Sequence, residues 1–214
     1  MPIWVERSEV YPLPEPPDRG AVVAAPVTGL LLAAGPLMAT VGRTHEPEGG
    51  GVTYVEYLTR LPYLAALLAL CVLAARSGAA GPRLGRRIAW AALGPLVGAL
   101  GATFAIMLVG LAMDTEDRPE WLAGTRPVWL AAQAGVLAVG LAIARTGRWH
   151  GPARWLPLAG ALSLPVEPIG RVLALEDAAA WLLAAWAGAT YTVLGVILLI
   201  RPPATTVPSD RDGP

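Results

Sequence analysis

Two kinds of polar connection alternate between the apolar runs of this chain, and that alternation leaves little choice of fold. Lysine is absent, so all 16 basic residues are arginine. The connection at 76–87 carries Arg76, Arg83, Arg86 and Arg87 with no acid, and the one at 145–154 carries Arg145, Arg148 and Arg154, also with no acid. The connections between these are acid-rich: Glu46 and Glu48; Asp114, Glu116, Asp117 and Glu120; Glu176 and Asp177. Short connections that keep arginine stay on the cytoplasmic side of a membrane, so the pattern predicts both class and orientation.

The apolar runs lie at 21–41, 55–75, 88–113, 127–144, 155–173 and 178–200. A hydrocarbon core about 30 Å thick needs roughly 20 helical residues to cross it. The reading is therefore an all-α integral membrane bundle of six transmembrane helices over 21–200, with both termini cytoplasmic. The flanking segments, 1–20 and 201–214, are polar and proline-rich and are expected to be disordered tails. Only 15% of residues are charged, against about 25% in a soluble domain, so lipid must cover most of the surface. The first twenty residues mix Glu6, Glu9, Glu15 and Asp18 with Arg7 and Arg19, unlike the basic start of a signal peptide. The run at 21–41 is accordingly expected to be retained. Codons for Ala, Gly, Pro and Arg are GC-rich, and Lys and Asn are missing. That composition points to a bacterial source and hence to the plasma membrane.

Tryptophans fall near span ends: Trp121, Trp129 and Trp181 outside, Trp90, Trp149 and Trp155 inside. Indole rings settle at headgroup level, so two belts are expected. Trp186 lies deeper and is expected to pack on another helix. The third run offers Gly94, Gly98 and Ala102, with Gly101 and Ala105 alongside; the fourth offers Ala131, Gly135 and the 138–140 stretch. Small residues let helices approach closely in lipid. These faces are expected in the bundle centre, with a homodimer seam as the alternative. The two basic hairpins also resemble each other. Ala75-Arg76-Ser77-Gly78 leads to Gly81-Pro82, and Ala144-Arg145-Thr146-Gly147 leads to Gly151-Pro152.

Polar groups at membrane depth are the candidate site. Pro165 and Pro168 break the fifth run around Glu167, and Arg171 follows one helical turn later. Prolines cannot donate, so this segment should face protein or water rather than lipid. Glu56 and Arg60 repeat the four-residue spacing at the outer end of the second run. Glu56, Arg60, Glu167 and Arg171 together would line an outward vestibule. As a functional site, Glu167 would carry a proton or cation; as a structural one, the four residues would be a neutral salt-bridge cluster. Their net charge of zero favours the second. Ser163 lies one turn inward of Glu167, and Gln133 is expected to make one interhelical hydrogen bond.

Several classes are disfavoured. Zero net charge with scattered arginines gives no nucleic-acid footprint. His45 and His150 fall on opposite faces of the predicted topology, so no metal or haem site is expected, and no cofactor. Cys71 is alone and reads as a small buried residue. The leading function is a non-enzymatic accessory or subunit acting through helix contacts. Its partners would be the lipid bilayer and another membrane protein or a second copy. Arg76, Arg83, Arg86, Arg87, Arg145, Arg148 and Arg154 would contact lipid headgroups. The alternatives are a small proton-coupled carrier using Glu167, and a lipid or isoprenoid enzyme using Glu56 and Glu167.

Overall fold

A computed structural model describes residues 19–43, 54–81, 83–112, 124–162 and 176–201. Among them there are six α-helices and no strand. We label the helices α1 (Arg19–Arg43), α2 (Tyr54–Arg76), α3 (Leu84–Ala112), α4 (Arg126–Thr146), α5 (Leu156–Ala161) and α6 (Glu176–Ile200). A 3-10 turn, Gly151–Arg154, precedes α5. Three helical stretches are long and apolar enough to cross a membrane: Tyr57–Arg76, Leu84–Val109 and Pro127–Thr146. Val23–Ala39 and Ala184–Ile200 are shorter apolar helical stretches. Of the fifth apolar run, only the short helix α5 and the residues that flank it are described.

Each helix packs on its neighbour in sequence, and α6 returns to α1, closing a ring. Neighbours run antiparallel. Thr28 of α1 faces Ala69 of α2 while Gly35 faces Pro62; Gly98 of α3 faces Val128 of α4 while Ala92 faces Gly135. The start of α1, both basic hairpins and the end of α6 therefore share one end of the bundle.

The core is built from Leu32, Leu64, Leu70, Leu73, Leu96, Ile143, Tyr191, Leu194 and Leu198, all fully buried, with many alanines between them. The outside is equally apolar: Val23, Val27, Leu30, Val97, Phe104, Leu130, Leu182, Val193 and Ile200 are all exposed. Both faces of these helices are greasy, as expected where lipid rather than water is the surround. Polar side chains in the helices satisfy themselves on carbonyls. Thr103 donates to the Ala99 carbonyl at 2.7 Å and Thr190 to that of Trp186 at 2.7 Å. Thr192 reaches across from α6 to the Ala33 carbonyl of α1 at 3.2 Å.

Close packing does not sit where the sequence placed it. A Cβ on Gly94 or Gly101 would meet nothing within 4 Å, and both positions are exposed. Gly98 touches only Val128. The glycine face of α3 is thus an outer face, which corrects the expectation that it lies in the bundle centre. The tight crossing is instead between α1 and α6, where a Cβ on Gly29 would come within 2.8 Å of the Gly195 carbonyl oxygen. α1 also presses Gly35 onto the Pro62 carbonyl of α2, at 2.7 Å from a would-be Cβ. On α4 the expectation fares better: Gly135 lies against Ala92, and Gly140 against the backbone of Pro157 and Leu158.

Short as it is, α5 is held on two sides. Gly160 sits under the ring of Tyr191, which in turn meets Tyr63 edge-on at 6.1 Å. Trp186 donates its indole N–H to the Ala159 carbonyl at 2.7 Å, so it does reach another helix, although about half of its surface stays exposed.

These contacts separate two glycine substitutions that look alike in the sequence. Gly195→Val drives a side chain into the α1 backbone and should cost about 1–3 kcal/mol, seen as a lower melting temperature in detergent. Gly94→Ala should leave the melting temperature unchanged or raise it slightly, by up to about 1 kcal/mol of helix propensity. A strongly destabilising Gly94→Ala would contradict the outward placement.

Candidate functional site

The feature that the described residues bring together most clearly is the basic end. Helix α2 ends at Arg76, and the chain turns through Gly78 at φ 66° and Gly81 at φ 111°. Helix α4 ends at Thr146, and the chain turns through Gly147 at φ 65° and Gly151 at φ 61°. These are left-handed conformations that glycine reaches without a Cβ penalty. The sequence likeness of the hairpins is therefore matched by the same pair of left-handed glycines at corresponding places. Ser77 and Thr146, which also correspond, both donate back into their own helices, to Leu73 at 2.7 Å and to Ile143 at 3.1 Å.

The two hairpins touch. Thr146 Oγ1 also donates to the carbonyl of Ala79 in the other hairpin. Arg148 lies across Gly78, with its Nη1 2.6 Å from where a Cβ would stand. Arg154 turns inward instead. Its Nε donates to the Ala144 carbonyl at 2.7 Å, its guanidinium stacks 4.9 Å from the Trp155 ring, and it is half-buried. Arg76, Arg83, Arg86, Arg87, Arg145, Arg148 and Arg201 are exposed at this end. No Asp or Glu occurs among the residues whose side chains are described.

Trp149 departs from the belt expected of it. It is 3% exposed and belongs to the core beneath the second hairpin, with its indole N–H buried and unpaired. Trp90 and Trp155, by contrast, are exposed near the same end, as headgroup-level rings would be.

The predicted polar cluster is only partly within reach. Glu167, Arg171 and Ser163 lie outside the described residues, and Glu56 is described in backbone alone, within α2. Arg60 is half-buried, with its guanidinium 5.6 Å from the centre of the Tyr57 ring. That cation–π contact links neighbouring turns of one helix. Gln133 is half-buried and makes no interhelical hydrogen bond among the described residues. No group of three or more potential metal ligands forms among the described residues. An open groove of about 820 Å³ runs between α2 and α3 on the outer side of the ring. It is lined by apolar residues, including Leu58, Pro62, Val97, Gly101 and Phe104, and offers no group for acid–base chemistry.

The missing signals are instructive. Nothing in the sequence marks Thr146 as a bridge between hairpins, because its partner is a main-chain carbonyl. The matching turn glycines were visible, but the contact between the two turns is long-range.

No protein-family model matches the chain, and no curated protein or solved structure matches it either.

The inward anchoring of Arg154 can be probed directly. Arg154→Ala removes a charged hydrogen bond and a ring contact, together about 1.5–3 kcal/mol before solvent screening at this half-buried site. We expect faster trypsin cleavage after Arg145 and Arg148 in the detergent-solubilised protein, with cleavage after Arg86 little changed. Equal cleavage of variant and wild type at all three would show that Arg154 does not hold the second hairpin.

Proposed function

We propose that this chain is a six-span membrane protein whose arginine end faces the cytoplasm, and that it works as a non-enzymatic accessory or subunit through helix contacts. One observation carries the reading. Both acid-free arginine hairpins lie at the same end of an antiparallel ring of helices whose outer surface is apolar. Arginine is retained on the side of synthesis, so a ring with both hairpins at one end has one favoured way to sit. The start of α1 and the end of α6 then also face the cytoplasm. A plasma-membrane location in a bacterium follows from the composition. The interior formed by the described residues is packed with Leu, Ala and Tyr191, which suits a protein that holds partners rather than one that moves a solute or turns over a lipid.

The carrier reading rests on Glu167. It requires Glu167→Gln to abolish ion-dependent uptake while the protein still inserts, whereas the accessory reading expects no such uptake to lose.

Reporter fusions test the orientation. Alkaline phosphatase joined after residue 80 or 150 should be inactive, and joined after residue 48 or 117 it should be active. The reverse pattern would overturn the orientation, and activity at only one of residues 80 and 150 would overturn the shared end.

A further inference from the structure

We infer that the two joined hairpins form a single binding platform for the phosphate oxyanions of anionic phospholipids. The inference rests on the membrane reading above and names the partner of its basic end. Three features support it. The first is charge: six exposed arginines come from the two hairpins, and neither hairpin sequence, 76–87 or 145–154, holds an acid. A basic surface at headgroup depth attracts anionic lipid by about 1 kcal/mol for each arginine near the surface.

The second is the seam. Thr146 ties its hairpin to the Ala79 carbonyl, and Arg148 is laid over Gly78 of the other hairpin. Arginines that the sequence places in separate loops thus share one surface, and Arg148 stands where the loops meet. Left alone, so many guanidinium groups on one surface repel each other. A phosphate oxyanion set among them relieves that repulsion. The third is the rim. Trp90 and Trp155 are exposed beside the arginines, and amphipathic rings at that level lie against glycerol and upper acyl segments. Water-soluble anions would gain nothing from such a rim.

One platform and two independent loops predict different outcomes. The full chain is purified from membranes in mild detergent, with recovery in the membrane fraction scored first. It is then exchanged against a mixture of phosphatidylglycerol and phosphatidylcholine, and bound lipid is counted by native mass spectrometry. We expect at least tenfold preference for phosphatidylglycerol, weakened by raising the salt. The variant Arg83→Gln/Arg86→Gln/Arg87→Gln and the variant Arg145→Gln/Arg148→Gln should each remove nearly all of the retained lipid. The loss is roughly fivefold for each arginine removed. The corresponding Arg→Lys variants should keep most of it, which guards against loss by misfolding.

Survival of about half the bound lipid when either hairpin is neutralised would overturn the single platform. Equal retention of both lipids by wild type would overturn the lipid inference while leaving the membrane reading intact. Displacement of the lipid by 10 mM inorganic phosphate would show that a soluble anion is the ligand and would also overturn it. Wild-type protein found in the soluble fraction would end both readings.

Discussion

An arginine guanidinium stays charged at any pH a cell meets and is held out of hydrocarbon. That single constraint organises this molecule. With no lysine and few acids near them, the arginines of 76–87 and 145–154 can only collect where the helices end. Two helix pairs must then turn at the same end. The closed antiparallel ring is the arrangement that satisfies this with short loops. The left-handed glycines at the turns make those loops short enough, and the docked hairpins gather the charge onto one surface.

Inside the ring, apolar burial does little to choose between arrangements, because the outside of the helices is as apolar as the inside. Shape does the selecting. Gly29 against Gly195, Gly35 against Pro62, and Gly160 beneath Tyr191 each let backbone or ring approach to a distance that a side chain would block. Threonine hydroxyls and the Trp186 indole take up carbonyls near these crossings, so the polar backbone is served without charged groups. The result is a bundle joined by close contact and a few hydrogen bonds, consistent with how helices associate in lipid.

Much of this was legible in the sequence, for definite reasons. Helical class and the long apolar stretches of α2, α3 and α4 follow from run length, a local signal. The contact of Trp186 with another helix was legible from its depth. What was not legible depends on partners far along the chain. Glycine density pointed to α3, but Gly94 and Gly101 face outward, while the tight crossing pairs Gly29 with Gly195. In a chain rich in glycine, spacing alone does not say which glycine has a neighbour. The place of Trp149 near a span end points to an interfacial ring, whereas the ring is buried in the core. Gln133 is half-buried, and no interhelical bond of its side chain falls among the described residues. Of the four-residue polar cluster, Arg60 and the backbone of Glu56 are placed, and Glu167 and Arg171 lie outside the described residues.

The central claim is that the two arginine hairpins meet on one cytoplasmic surface. In a Cys71→Ser background, Ala79→Cys and Thr146→Cys place one thiol in each hairpin at the point of contact. A short, membrane-impermeant bis-maleimide added to intact cells and to opened membranes tests contact and sidedness together. The account predicts an intramolecular crosslink in opened membranes and none in intact cells. Crosslinking in intact cells, or modification of both thiols without a crosslink in opened membranes, would contradict it.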